Sequence, residues 1–377
     1  MVSPTGLHAA FDSGPPSDST DYTTIVTIHG YGWHSGIFAH LLPVAHAQNA
    51  RVIAVNRRDY PGTTPYPASE RALLTAVPPS DSNEPEPEPY PSGSPEEISE
   101  TRTKMLEFAR LRAHELLAFC EELVRERGLP AARPTENRGG IVLIGWSLGI
   151  VWMNAVLMFL DSFEGSADVD LSKHLRRVIP YDGPSIEFGF PRPPDPYDPF
   201  LDPDTFEGSI ADLLDWVSGY WTHGSSIDTL ARRTPAEDRP PTARTLPGDL
   251  VHQPPGAPGG SDQVLVAEGI RVDVFRALWE GALVLPAAEG ARRRWGALEV
   301  RAVWCDRSTW EIVHAAWAVR GLATEPPVAA GRRRVGTVRI RGANHFAHWD
   351  FPADTLRAFL IAPAAVEGEE VEIVARE

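Results

Sequence analysis

The stretch Gly145-Trp146-Ser147-Leu148-Gly149 constrains the fold of this chain more than any other, because of what flanks it. Before it runs Ile141-Val142-Leu143-Ile144, a β-branched apolar run that suits a buried parallel strand. After it, Ile150 to Leu160 is apolar on nearly every face, as in a helix buried on most sides. Strand, Gly-x-Ser-x-Gly and helix together make the setting of a nucleophile elbow, a sharp turn that pushes the serine hydroxyl out beyond the sheet. Glycines two before and two after the serine are needed because strand and helix pass too close there for a Cβ. The pattern by itself arises by chance, and the flanks make it specific. Residues 141–160 carry no charge over a length that could span a bilayer. The glycine break near the start, in a chain of soluble composition, favours strand-turn-helix over one continuous span.

At 377 residues the chain exceeds what one compact core usually needs, so it reads as one large domain with an insertion, or as two domains. Apolar content of 42% and charged content of 23% are ordinary for a soluble enzyme. A net charge of −16 disfavours nucleic acid and anionic membrane surfaces as partners. Cys120 and Cys305 have no metal-ligand spacing and read as buried free thiols. Met1 to Thr20 holds no basic segment followed by an apolar one, and no Asn-x-Ser/Thr sequon occurs. The expectation is a cytoplasmic protein without stable membrane insertion.

Strands are expected at Ile25–Ile28, Arg51–Val55, 141–144, Arg177–Tyr181, Leu298–Trp304 and Val335–Ile340. Pro180 inside the fourth of these would suit an edge or a bulge. Helices are expected at Ile37–Gln48 (shortened by Pro43), around 312–319 and near 353–360. Another opens at Ser94-Pro95-Glu96-Glu97, a capping box, and stops near Gly128. Residues 77–95, with Glu84-Pro85-Glu86-Pro87-Glu88-Pro89, read as a solvated low-complexity loop. From Pro184 to Pro258 prolines are too dense for long regular elements, leaving two helical pieces, Ser209–Trp221 and Val272–Val284. Strands alternating with helices imply an α/β fold: a mostly parallel central sheet with helices on both faces, and a site at the carboxyl ends of the strands.

A serine hydroxyl needs a base to take its proton and an acid to orient that base. Ser147 is the candidate nucleophile. His345, in Gly342-Ala343-Asn344-His345-Phe346 after the last strand, is the base, ahead of His348 three residues on. Asp306, directly after Trp304-Cys305, is the acid, and Asp182, at the end of the preceding strand, is its alternative. One oxyanion donor would be the N–H of Leu148, the residue after the nucleophile. No zinc-ligand pattern occurs among the histidines and no dinucleotide fingerprint among the glycines, so neither metal nor cofactor is implied.

At these residues the chain resembles the α/β-hydrolase superfamily, of the serine esterase, lipase or lactonase type with a cap. The resemblance covers Thr23–Pro65, Arg138–Gly183 and Leu298–Leu360, and is carried by five landmarks. These are Ile28-His29-Gly30-Tyr31, Asp59-Tyr60-Pro61-Gly62, the elbow, Trp304-Cys305-Asp306 and Gly342-Ala343-Asn344-His345-Phe346. It implies a core of residues 1–183 and 297–377, a proline-rich cap or lid over 184–296, and Tyr31 N–H as the second oxyanion donor. His29 would hold the oxyanion loop, and Asp59 its own loop.

The activity expected is hydrolysis of a carboxylic ester or lactone by a Ser-His-Asp triad and an acyl-enzyme, without a cofactor. An acyltransferase or C–C bond hydrolase could use the same triad, and a non-catalytic binding protein could keep the fold. Trp146, Trp216, Trp221, Phe275 and Trp279 are candidate walls of an apolar substrate pocket, so the expected partner is a small hydrophobic ester or lactone. The prolines suggest that the cap is hinged by loops.

Overall fold

A computed structural model describes residues 3–74, 93–199, 209–250, 260–324, 331–363 and 370–376. The low-complexity stretch up to residue 92, and Phe206 in the proline-rich insertion, lie outside these residues.

Eight strands form one sheet: β1 (His8–Asp12), β2 (Thr23–Ile28), β3 (Ala50–Asn56), β4 (Ile141–Trp146), β5 (Leu175–Tyr181), β6 (Glu299–Cys305), β7 (Val335–Arg341) and β8 (Val371–Val374). Their spatial order is β1-β3-β2-β4-β5-β6-β7-β8, and only the β1–β3 pair is antiparallel. The six expected strands are all present, within two residues at each end. The chain moves outward from β2 to β3, then returns to place β4 on the other side of β2. That reversal is a topological switch point, where the carboxyl ends of strands leave a crevice. β4, which carries the elbow, is one of the strands at this switch point.

The period-2 alternation of a strand splits the core into two layers. Val26, Ile28, Ile53, Val55, Ile141 and Leu143 face one hydrophobic cluster, while Ile25, Val52, Ala54, Val142 and Ile144 face the other. The first face is covered by helices Pro95–Arg127, Ile150–Phe159 and Val274–Ala282, the second by Leu41–Ala45 and Pro352–Leu360. The helix Pro95–Arg127 starts on the expected capping box. Ser94 Oγ accepts from Glu97 N and the Glu97 carboxylate accepts from Ser94 N at 2.8 Å, and such a cap is worth about 1 kcal/mol. It stops at Gly128, whose φ of 58° is left-handed.

Two expectations are corrected. β5 is an interior strand despite Pro180, which stands opposite Gly145 of β4 where the pairing to β6 lapses between Val178 and Tyr181. The piece expected at Val272–Val284 does form a helix, Val274–Ala282, but its Phe275, Leu278 and Trp279 join the core cluster beneath the elbow helix. No described helix is long and apolar enough to cross a membrane.

Candidate active site

The elbow is formed as the sequence requires. Ser147 has φ 52°, a left-handed conformation that costs a serine on the order of 1 kcal/mol and is held by its surroundings. A Cβ on Gly145 would come within 2.1 Å of Gly149 O, and one on Gly149 within 2.6 Å of Ile28 O, so both glycines are dictated by close approach. Ser147 is half-buried, and Leu148 behind it is fully buried.

His345 lies in the loop between β7 and the short helix Ala347–Asp350. The Trp146 indole N–H donates to His345 O at 2.9 Å, and the Trp146 and His345 rings lie 4.7 Å apart. Trp146 therefore belongs to the frame that holds His345, one residue before Ser147. His345 Nδ1 stands 2.7 Å from Asp182 Oδ2, and both groups are buried. Asp182 is itself fixed. Its Oδ1 accepts from Cys305 N at 2.6 Å and its Oδ2 also from Ser308 Oγ at 2.7 Å. No hydrogen bond joins Ser147 Oγ to His345 among the described residues, and such links in unliganded sites often close only around substrate.

The acid that meets the histidine is thus Asp182 and not Asp306, the first choice from sequence. Asp306 accepts from Arg339 Nη2 at 2.6 Å and from Gly342 N at 2.7 Å, tying β6 to the far end of β7. The register explains the difference. Trp146 of β4 lies opposite Tyr181 of β5, so Asp182 leaves the sheet on the strand beside the elbow. Tyr181 is opposite Val303, so Asp306 stands past the strand end and one strand further out, beside the Arg339 guanidinium.

The other candidates are placed as follows. His348 is fully buried among Phe38, Trp146 and Tyr181, and burial beside His345 pushes its pKa well below the ordinary imidazole value. It is a neutral packing residue. His29 donates through Nδ1 to Gly30 O at 3.0 Å and accepts the Arg57 N–H through Nε2 at 3.2 Å, which matches its expected holding role. Asp59 accepts from Tyr66 N, Arg71 and Ser261 Oγ. Tyr31 follows Gly30 in the loop after β2, and Gly30 abuts the elbow: a Cβ there would lie 2.7 Å from Ser147 Cβ. Cys120 and Cys305 are free and buried, and burial pushes the Cys120 thiol up to about 12.

The aromatic residues expected to wall one pocket are divided. Trp216 and Trp221 pack with Trp304 and Trp310 in a cluster of their own, whereas Phe275 and Trp279 sit in the large core cluster with Phe188. Nor is the insertion loosely hinged where it is described. Asn344, next to the histidine, donates to Ser218 O at 2.6 Å and Thr242 Oγ1 at 2.8 Å. Asp350 accepts from Tyr220 and Thr242. Trp221 N donates to Arg307 O at 2.9 Å.

Sequence reasoning missed Glu187, on the turn Ser185–Phe188 just after Asp182. Its carboxyl is buried with Oε2 unpartnered, and burial together with Asp262 and Asp198 holds its pKa well above the ordinary range, against the pull of Arg57. Its place five residues after a strand-end Asp-Gly was the available signal.

Sheet order, an elbow after β4, and Asp182 after β5 meeting His345 after β7 define an α/β-hydrolase fold. No family model matches the sequence, and no curated protein matches it. Several solved structures are similar along nearly the whole chain. A lipase-esterase related protein from Clostridium acetobutylicum is 12% identical, with 91% of this chain and 93% of that one covered and a TM-score of 0.39. An epoxide hydrolase from an endophytic Streptomyces is 11% identical, with 96% and 93% covered and a TM-score of 0.40. A thioesterase domain from the curacin biosynthetic pathway is 13% identical, with 93% and 94% covered and a TM-score of 0.36. At such identities no substrate transfers from them to this chain.

Proposed function

We propose that this protein is a serine hydrolase that cleaves a carboxylic ester or lactone through an acyl-enzyme. The observation that carries the reading is the 2.7 Å contact between His345 Nδ1 and Asp182 Oδ2, one strand away from a serine on a strained elbow. In this scheme Asp182 holds the imidazole in the tautomer whose Nε2 accepts a proton. Ser147 Oγ attacks the carbonyl carbon as its proton passes to Nε2, and the tetrahedral oxyanion is met by the Tyr31 and Leu148 amides. Collapse breaks the bond to the leaving alcohol, which takes the proton from His345. Water then gives a proton to the same nitrogen and attacks the acyl carbon, and collapse breaks the bond to Ser147 Oγ, which takes that proton back from His345 as the acid leaves.

An apolar acyl or ring portion is part of the proposal. What supports it is the aromatic surround of the imidazole, with the Phe346 ring 5.4 Å and the Trp146 ring 4.7 Å away, and Trp33 against Phe346. The test is fluorophosphonate labelling together with hydrolysis of p-nitrophenyl esters of increasing acyl length. Ser147→Ala is expected to abolish labelling and to lower turnover by roughly 10⁴-fold or more, with an unchanged melting temperature. Labelling at another serine in that variant overturns the assignment.

A further inference from the structure

The loop after β2 is held from outside by a buried ion pair. Arg57 and Asp262 are 1% and 4% exposed at their side chains, and the guanidinium meets the carboxylate through two bonds of 2.7 Å. Arg57 belongs to the segment after β3. Asp262 lies in the first turn of the helix Gly260–Arg271, within the insertion. The same guanidinium donates through Nη2 to Gly30 O at 2.9 Å and through Nε to His29 O at 3.3 Å. It also covers the Trp152 ring on the elbow helix, at 4.2 Å from the centroid. Tyr60 adds a second strut: its hydroxyl donates to Asp262 at 2.6 Å and accepts the Gly32 N–H at 3.3 Å.

The geometry of the peptide gives this arrangement a consequence. Gly30 C=O and Tyr31 N–H are the two ends of one planar trans unit and point in opposite directions. A guanidinium and the His29 ring both donate to Gly30 O, so they fix the orientation of that plane and with it the direction of the Tyr31 N–H. Tyr60 fixes the next amide, at Gly32.

We infer that Arg57, Asp262 and Tyr60 are positioning residues that aim the Tyr31 N–H at the oxyanion, so that the insertion helix carrying Asp262 completes the catalytic centre. This rests on the reading of Tyr31 N–H as an oxyanion donor. A misaimed donor loses its effect in the transition state and leaves ground-state binding nearly alone.

The experiment uses the full chain and p-nitrophenyl butyrate, with the variants Asp262→Asn, Arg57→Lys, Tyr60→Phe and the apolar pair Arg57→Met/Asp262→Leu. Asp262→Asn, which leaves the guanidinium unpaired, and Arg57→Lys, which keeps the charge but loses the fork of donors, are each expected to lower kcat by about 10- to 100-fold while KM stays within about threefold. Backbone amide exchange by mass spectrometry should quicken across residues 28–34 in Asp262→Asn, with β4 still protected. The apolar pair removes the unpaired charge and should restore the melting temperature without restoring kcat. Recovery of kcat together with stability would mean that the ion pair only packs, and would overturn the inference. Tyr60→Phe, which deletes one hydroxyl, covers the case in which the Arg57 and Asp262 variants do not fold: it should cost several-fold in kcat at unchanged melting temperature, and an unchanged kcat overturns the inference. If the parent protein hydrolyses no ester and Ser147 takes no label, the hydrolase reading falls. Loop exchange then still decides the clamp, since exchange equal to the parent's in Asp262→Asn overturns it.

Discussion

His345 Nδ1 and Asp182 Oδ2 stand 2.7 Å apart, and that carboxylate is held on its other sides by Cys305 N–H and Ser308 Oγ from the end of β6. The end of β6 and the loop after it therefore steady the Asp182 carboxylate. Ser308 and Cys305 fix the carboxylate plane, and the plane fixes the imidazole.

Exchange of the two candidate acids separates their roles. Asp182→Asn is expected to lower kcat by about 10⁴-fold with the fold intact, because the amide stabilises the wrong imidazole tautomer. Asp306→Asn should leave kcat within about tenfold and cost about 1–2 kcal/mol of stability through Arg339 and Gly342. Steady-state kinetics and thermal melts of both variants check this, and a crippled Asp306→Asn with an active Asp182→Asn contradicts it.

Gly30→Ala places a methyl 2.7 Å from Ser147 Cβ and 3.2 Å from its Oγ. The fold is expected to survive, while Ser147 is displaced and kcat falls by roughly a hundredfold. Fluorophosphonate labelling should slow in parallel. Labelling at the parent rate would mean that the loop yields without disturbing the serine.

Glu187 gives the protein a pH-dependent stability of defined sign. Its folded-state pKa lies well above the ordinary value of 4.5, through burial and the neighbouring Asp262 and Asp198, with Arg57 opposing. Above pH 4.5 the unfolded chain has lost a proton that the folded chain keeps, so stability falls as pH rises, by up to about 1.4 kcal/mol per pH unit, until the folded group ionises too. Glu187→Gln removes this dependence. Its melting temperature, compared with the parent's, is expected to move in the variant's favour between pH 4 and pH 8. A gap that stays constant across that range rules out a neutral buried Glu187.

The bonds from Asn344 to Ser218 O and Thr242 Oγ1 tie the histidine loop to the insertion. Asn344→Ala should speed proteolysis within residues 219–250 and lower kcat, since the residue before His345 loses its anchor. Parent-like proteolysis in this variant would show that the segment is held by its other contacts alone.

Much of the frame was legible because it follows from local rules. Ile141–Trp146, the two elbow glycines and the Ser94 capping box obey strand periodicity, close approach and helix capping, all of which act within a few residues. The short edge strands β1 and β8 were not legible: five- and four-residue runs acquire strand character only from the neighbours they pair with. The choice between Asp182 and Asp306 depends on register across β4, β5 and β6, and on Arg339 drawing the second carboxylate away. No local pattern encodes that register. The aromatic residues of the insertion carried too little information for a different reason, since apolar helical spacing does not reveal which partner a face meets, and Phe275 and Trp279 met the core.

Ser147 and Asp182 share a left-handed backbone, with φ of 52° and 50°, in places where glycine would rest more easily. At Asp182 the carboxylate repays that strain through its bonds to Cys305, Ser308 and His345, whereas Ser147 has no such return. A selection for thermal robustness alone, blind to turnover, is therefore expected to collect Ser147→Gly among its survivors and to keep Asp182. Such survivors would be sturdier and, on the proposed chemistry, inert, so their recurrence would point to Ser147 without a substrate ever being supplied.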